Sequence, residues 1–382
     1  MQGERAVQPT RLWILRHGRS TLNDAQTFQG CGPESELTAE GVHSAECAGA
    51  RLACEGLDAV YTSPLRRAVQ TVELVRGALQ QGERVPAPEV AEALRETELP
   101  GWEGLTYAEV RERYPEQLRQ FHESPGNFSL RDAEGKERWP VLEMEQRVHR
   151  FLSRLLSTQA GRNILLVTHG GPARIVLLAA LRLSIRSFNT LQISHGGLSC
   201  VTAHSWPDRL HLDVLNEMSH IEAKLPKLKD GKDGLRLLLV ASADERVRVE
   251  EEETLAQMIE RLPIHRALAA GQEGVTAAMR LLRYRRRSTI ETCTEAGLRG
   301  AIERQLARQR PNEVVNLLIT GRGEVLREVV QRSMRWDGLE TPPSLGPCQG
   351  LSVVHLPRTA AHPVLQAVNT FQASRCLAGD VA

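Results

Sequence analysis

Short apolar runs alternate with amphipathic stretches along the first half of this chain. Leu12, Trp13, Ile14 and Leu15 form a run with no polar side chain, and Ile164 to Val167 form another. Such runs suit strands buried on both faces at the centre of a parallel sheet. Leu57 to Tyr61 and Leu198 to Ala203 read as two further strands. Between them the period changes. Leu37 to Glu55 carries apolar positions at helical spacing, with Thr38 placed to cap it. A helix entered at Arg66 runs to about Leu79, Tyr107 to Tyr114 starts one that Pro115 restarts, and Met144 to Leu156 and the residues after Pro172 supply two more. Strands alternating with helices predict an α/β fold.

The chemistry stands where strands stop. The first apolar run breaks into Arg16, His17 and Gly18, and the second leads into His169, Gly170 and Gly171. Open α/β sheets bind their ligands at the carboxyl ends of parallel strands. Gly18 lets the backbone turn sharply and approach a bound group closely. Thr62 to Val72, TSPLRRAVQTV, puts Arg66 at a turn entering a helix, and Leu94 to Gly104, LRETELPGWEG, holds Glu96 and Glu98 in a loop.

These four stretches, in this order over roughly Arg11 to His204, resemble the histidine phosphatase superfamily, which includes phosphoglycerate mutases, fructose-bisphosphatase domains and small-metabolite phosphatases. The resemblance implies a three-layer α/β/α sandwich around a mostly parallel sheet. It also implies that His17 is the nucleophile and becomes a phosphohistidine, with His169 stabilising the transferring phosphoryl group beside Gly170. Asn23 fits the family's additional phosphate contact, or a turn cap.

Residue chemistry agrees. A phosphate monoester carries close to two negative charges, and Arg16 and Arg66 offer planar forks that match its oxygens. Their charge also favours neutral, nucleophilic His17. The leaving oxygen needs a proton, for which Glu96 is the candidate acid and Glu98 the runner-up. Pro100 stands where the family usually has a glycine four residues after the acid, although Trp102, Glu103 and Gly104 fall in register.

Length and composition narrow the setting. A chain of 382 residues suggests two domains. A net charge of +1 argues against a protein that coats nucleic acid or an anionic membrane. The opening MQGERAVQPT lacks the apolar core of a signal peptide, and no run approaches the length that spans a bilayer. The seven cysteines show neither paired nor metal-finger spacing, so a reducing cytoplasm is the expected location. Cys31, near the proposed pocket, reads as a buried or incidental thiol, against the alternative of a reactive one. With no HExxH, no carboxylate cluster at ligand spacing and no P-loop, neither a metal nor another cofactor is expected. The arginines take over the neutralisation of charge.

Gly101 to Glu143 forms a long insertion whose middle, SPGNFSLRDAEGKERWP, reads as a loop or lid. Arg131, Lys136 and Arg138 could meet an acidic substrate there, against the plainer reading of solvated surface charges. The family's Gly-Glu-Ser segment has only a poor counterpart in Gly135, Lys136 and Glu137. His195 precedes a strand, and its spacing requires no pocket role.

The second half resembles the first. RLLLVAS, Arg236 to Ser242, matches RLWILRH, Arg11 to His17; Leu317 to Gly321 matches Leu165 to His169; Gly350, Leu351, Ser352 and Val354 match Gly197, Leu198, Ser199 and Val201. This predicts a tandem duplication: a catalytic domain at 1–215, a polar linker at 216–234, and a degenerate copy at 235–382 with a terminal tail. Ala241, Ser242 and Gly321 replace Arg16, His17 and His169 in that alignment, so the copy is expected to be catalytically dead and to pack on the first. The basic run from Arg283 to Arg287 reads as a solvated helix end, not a nucleic-acid site.

The expected activity is metal-independent hydrolysis of a small phosphorylated metabolite. The alternatives are mutase-type phosphoryl transfer and a regulatory protein that binds a phosphorylated ligand with weak turnover.

Overall fold

In a computed structural model of the chain, the described residues are 8–32, 35–79, 85–207, 209–221, 224–228, 233–242, 249–283, 289–336, 350–358 and 362–370. The opening residues 1–7, parts of the expected linker, most of the basic run and the terminal tail lie outside them. The chain divides into two compact units, Met1–Asn189 with Ile193–Leu212, and Thr190–Gln192 with Asp213–Ala382.

The first unit begins with strand β1 (Thr10–Arg16), the single turn α1 (Thr21–Asp24) and helix α2 (Ala39–Leu52). It continues through β2 (Ala59–Thr62), α3 (Arg66–Leu79) and the short β3 (Glu89–Val90). Helices α4 (Tyr107–Arg113) and α5 (Pro115–Glu123), the strands β4 (Leu130–Arg131) and β5 (Glu137–Arg138), and α6 (Pro140–Thr158) follow. Then come β6 (Asn163–Thr168), α7 (Gly170–Leu181) and β7 (Leu198–Ser205); β8 (Arg209–Glu217) spans the boundary in sequence.

The strand order is β3-β2-β6-β1-β7, parallel except for β7. The apolar run of β1 is central, as its composition requires: Leu12, Trp13, Ile14 and Leu15 are all buried. Thr38 caps α2 as expected, its hydroxyl accepting from the Gly41 N–H at 3.1 Å. The crossovers from β1 to β2 and from β2 to β3 run one way along the sheet, and those from β3 to β6 and from β6 towards β7 run back. Right-handed connections therefore put α2 and α3 on one face and α6 and α7 on the other. The helices pack in those same pairs.

The insertion is more ordered than its polar composition predicts. Strands β4 and β5 form an antiparallel hairpin, Leu130 opposite Arg138. Phe128 and Leu130 are buried, and the Phe128 ring lies 5.2 Å from that of Trp102 and 5.1 Å from that of Phe121. A few apolar side chains in a polar stretch are enough to fold it down when aromatic partners from distant positions meet them.

The second unit contains β9 (Gly234–Ala241), α8 (Val249–Arg261), β10 (Arg266–Ala270), α9 (Gly271–Leu281), β11 (Ile290–Cys293) and α10 (Leu298–Ala307). It ends with β12 (Val314–Gly321), α11 (Gly323–Ser333), β13 (Leu351–Leu356) and β14 (Val364–Thr370). Its strand order is β11-β10-β12-β9-β13-β14, again parallel as far as β9 and antiparallel from β13 onward. Strands β11, β10, β12, β9 and β13 thus take the places that β3, β2, β6, β1 and β7 take in the first unit.

The register shifts one expected match. His17 donates its N–H to the Thr168 carbonyl at 2.9 Å, and Ser242 donates its own to the Gly321 carbonyl at 2.8 Å. Gly321 therefore corresponds to Thr168, and Arg322, which precedes α11 as His169 precedes α7, takes the histidine's place. Alignment of identical letters misplaces this pair by one residue because interior strands look alike at neighbouring registers. The expected linker at 216–234 is too long at both ends, since Asn216 and Glu217 belong to β8 and are buried and Gly234 opens β9.

Candidate active site

The carboxyl ends of β1 and β6 lie side by side, with Arg16 paired to Thr168. The next residue on each strand is therefore a histidine beside a histidine. The His17 and His169 rings are 5.0 Å apart between centroids, and both residues are buried. His195 joins them at 5.6 Å from His17, because the loop before β7 is pinned by the Gly196 N–H donating to the Arg16 carbonyl at 3.0 Å.

His17 Nδ1 lies 2.7 Å from the Gly18 carbonyl. A carbonyl can only accept, so Nδ1 carries the proton and Nε2 keeps the lone pair. His17 is held well below the ordinary histidine pKa, first by burial and then by the charges of Arg67 and Arg16. His169 is lowered likewise by burial and by Arg67. Its Nε2 is hydrogen-bonded to Ser63 Oγ at 2.7 Å, while its Nδ1 is a buried ring nitrogen with no partner among the described residues.

Two guanidinium groups reach this pair, and one is not the expected one. Arg16 donates through Nη1 to the Ile193 carbonyl at 2.6 Å, and its buried Nε has no partner among the described residues. Arg66 points elsewhere: it is half-exposed and pairs with Glu36. Arg67 takes its place, donating through Nε to His17 Nε2 at 3.3 Å and through Nη2 to the Gly30 carbonyl at 3.0 Å. The reason lies in the phase of α3, whose buried stripe is Arg67, Ala68, Thr71, Val72, Val75 and Leu79. The apolar letters of that stripe were the signal that could have chosen between the two arginines. Burial lowers the pKa of both Arg16 and Arg67.

The two acid candidates separate. Glu96 Oε1 accepts from the Thr97 N–H at 2.9 Å and from the Gly171 N–H at 3.1 Å, in the first turn of α7. A Cβ on Gly171 would lie 2.3 Å from that oxygen, so only glycine admits the carboxylate here. Glu98 faces outward to Arg138 at 3.5 Å and Arg95 at 3.8 Å. Arg147 on α6 fastens the acid loop, donating through Nη2 to the carbonyls of Arg95 at 2.7 Å and Glu96 at 3.2 Å. Neither Ser63 nor Arg147 had a signal in the sequence, since only the fold brings them to the site.

The remaining expected residues are placed as follows. Asn23 Oδ1 accepts from the Ser20 N–H at 3.1 Å and the Ser20 hydroxyl at 2.9 Å, so this oxygen serves the turn. Gly170 opens α7 against the Arg16 guanidinium. At Gly18 the close approach is to the protein itself: a Cβ there would sit 2.3 Å from the Gly41 carbonyl of α2. Cys31 gives its thiol to the Glu96 carbonyl at 3.0 Å, and burial pushes its pKa up to about 11, which suits a structural thiol. Arg138 is engaged with Glu98, Asp132 and Glu143, and Arg131 donates to the Gly135 carbonyl. Among the described residues, no three His, Cys, Asp or Glu side chains gather as metal ligands, and no helix is long and apolar enough to cross a membrane.

Residues 12–217 match the family model of the histidine phosphatase superfamily (branch 1). The chain is 30% identical over 200 residues to a probable 2-carboxy-D-arabinitol-1-phosphatase of Arabidopsis thaliana and 31% identical over 238 residues to the 2-carboxy-D-arabinitol-1-phosphatase of Triticum aestivum. Those matches take in 52% and 61% of this chain but only 39% and 46% of the plant proteins, so the chain spans less than half their length. A 2,3-bisphosphoglycerate-dependent phosphoglycerate mutase of Cytophaga hutchinsonii is 33% identical over 224 residues, 56% of this chain and 94% of that protein.

Proposed function

Since the chain belongs to the histidine phosphatase superfamily, we propose that it is a phosphomonoesterase acting on a small phosphorylated metabolite through a phosphohistidine on His17. The observation that carries this reading is the set of His17, His169, Arg16 and Arg67 at adjacent strand and helix ends, with the His17 lone pair on Nε2.

The substrate phosphoryl group enters as a dianion and takes hydrogen bonds from Arg16 and Arg67. Arg67 gives up its contact with His17 Nε2 to do so, which frees the lone pair. His17 Nε2 then attacks phosphorus as the phosphorus–oxygen ester bond breaks. Glu96 enters this step protonated and passes its proton to the leaving oxygen. His169 Nδ1 and the guanidinium groups meet the charge that spreads over the equatorial oxygens. In the second half Glu96 takes a proton from water, the water oxygen attacks phosphorus, and the phosphorus–nitrogen bond breaks. Inorganic phosphate leaves, and His17 regains its lone pair.

The second unit has no part in this cycle in our reading, which assigns it to a degenerate copy of the first. The shared strand order supports that assignment, as does the constant offset of 153 from His169 to Arg322 and from Leu198 to Leu351.

Brief mixing with a labelled phosphomonoester in the presence of a chelator is the test. Acid-labile label and turnover should both appear in the wild type, and both vanish in His17→Ala. Unchanged turnover by His17→Ala would remove the catalytic reading. The name of the Cytophaga relative keeps mutase chemistry in view. Transfer between phosphoglycerates, stimulated by bisphosphoglycerate and faster than phosphate release, would decide for it.

A further inference from the structure

The second unit contains a cavity of about 550 Å³ that the proposed chemistry does not use. Lys224, Lys227, Arg236 and Arg261 line it together with Leu225, Leu228 and two prolines, and among the described residues no carboxylate does. Arg236 is the informative member. It is 6% exposed, so its charge is largely withdrawn from water.

The partners of Arg236 are all neutral. Its Nε donates to Gln366 Oε1 at 2.8 Å, and its Nη2 to the Pro226 carbonyl. Gln366 in turn donates to Gln192 Oε1 at 2.7 Å, and Gln192 donates to the Lys227 carbonyl at 2.8 Å. This chain of amides orients the guanidinium and ties it to the backbone of the cavity wall. It supplies no negative charge.

The first unit shows what such an arginine ordinarily receives. Arg11, at the matching place in β1, donates through Nη1 to Glu55 Oε2 at 2.8 Å. Burial works against the Arg11 charge, but the Cys200 thiol and the Glu55 carboxylate outweigh it and its pKa is raised. Arg236 has burial alone, which lowers it to about 10. A buried cation with no counter-charge among the described residues is costly, and Lys227 and Arg261 around the same opening repel it. A ligand that brings negative charge removes both costs.

We propose that this cavity is a non-catalytic anion site for a small oxyanion of the phosphate type, held by Arg236 at its floor and by Lys227 and Arg261 at its rim. The volume admits either free phosphate or the phosphate group of a small metabolite.

Equilibrium dialysis of the full chain against labelled inorganic phosphate tests the assignment. Two sites per chain are expected, the catalytic pocket and this one. Arg236→Gln should weaken the second at least about tenfold, as loss of charge-assisted hydrogen bonds does, while hydrolysis of p-nitrophenyl phosphate continues at the wild-type rate. Lys227→Gln combined with Arg261→Gln alters only the rim and should weaken the same site, which keeps the test alive if Arg236→Gln does not fold. Displacement of the second label by glycerol phosphate would assign a phosphorylated metabolite, and resistance to displacement would assign free phosphate. A single site in the wild type, or a second site indifferent to the rim pair, overturns the proposal. Two sites in a chain without hydrolytic activity would leave it standing and remove the phosphatase reading instead.

Discussion

The carboxyl ends of β1 and β9 occupy the same place in two similarly ordered sheets and carry opposite chemistry. In the first unit Arg16, His17 and His169 stand with Arg67, and the orphan nitrogens of Arg16 and His169 have no protein partner among the described residues. In the second unit Ala241 and Ser242 end the strand, and Arg322 stands where His169 does. Arg322 is matched by its own carboxylate, donating to both oxygens of Glu295 at 2.6 and 2.5 Å. Ser242 Oγ donates to Glu273 Oε2 at 3.3 Å. On the proposed function, a strand end serves as a phosphate site when its donors are left for a ligand. It becomes mere structure when the chain supplies the acceptors itself.

The sharpest way to test that contrast is inside the arginine pair. Arg67→Ala should lower kcat/KM about 10³-fold, the scale on which loss of a preorganised donor to the transition state is felt. Arg66→Ala, which breaks only a half-exposed pair with Glu36, should stay within about threefold. Equal losses in steady-state assays of the two variants would mean that the phase of α3 does not choose between the two arginines.

The carboxylates come next. Glu96→Gln should reduce kcat on an alkyl phosphate by about 10²-fold and affect an aryl phosphate much less, since only the poor leaving group needs a proton. Glu98→Gln should change either rate less than about threefold. The reverse ranking would move the acid to the outer loop position.

A smaller effect concerns stability. His17 and His169 have folded-state pKa values well below 6.5, so between those values and 6.5 the unfolded chain binds more protons than the folded one. Stability should therefore be full above about pH 6.5 and fall as the pH drops below it, by up to about 2 kcal/mol per histidine down to pH 5. Urea titrations at pH 7 and pH 5 should show that His169→Gln, where it folds, loses less over this interval than the wild type. An equal loss would trace the acid sensitivity to other groups.

The smallest expected effect lies in the second unit. Ser242→Ala and Arg322→Ala should leave kcat and KM within about twofold. A tenfold fall in either would show that the strand end of β9 takes part in the reaction.

Much of this was legible in the residues. The runs at Leu12–Leu15 and Ile164–Val167 could only be interior strands, and the polar breaks after them announced His17 and His169. Where residues and structure part, the cause is a choice between neighbours. Arg66 and Arg67 are the same letter, and the helix phase that buries one of them is written in Ala68, Val72 and Val75, not in the arginines. Gly321 and Arg322 differ by one step along a strand whose apolar residues fit either register. Most letters of the insertion at 101–143 are polar, the pattern of a lid, yet burial of Phe128 and Leu130 is enough to fold it down.

By itself, then, the amino-acid order determined the strands, the helices that follow them and the residue types at their ends, because local periodicity and backbone chemistry act over a few neighbours. Only the tertiary structure decided which arginine faces His17, which glutamate meets the first turn of α7, and that Ser63 orients His169 from 106 residues away. It also decided that Arg11 has a carboxylate and that Arg236 has none among the described residues. Those outcomes depend on side chains brought together from distant strands, and on whether burial leaves a charge with a partner, which no stretch of neighbouring residues records.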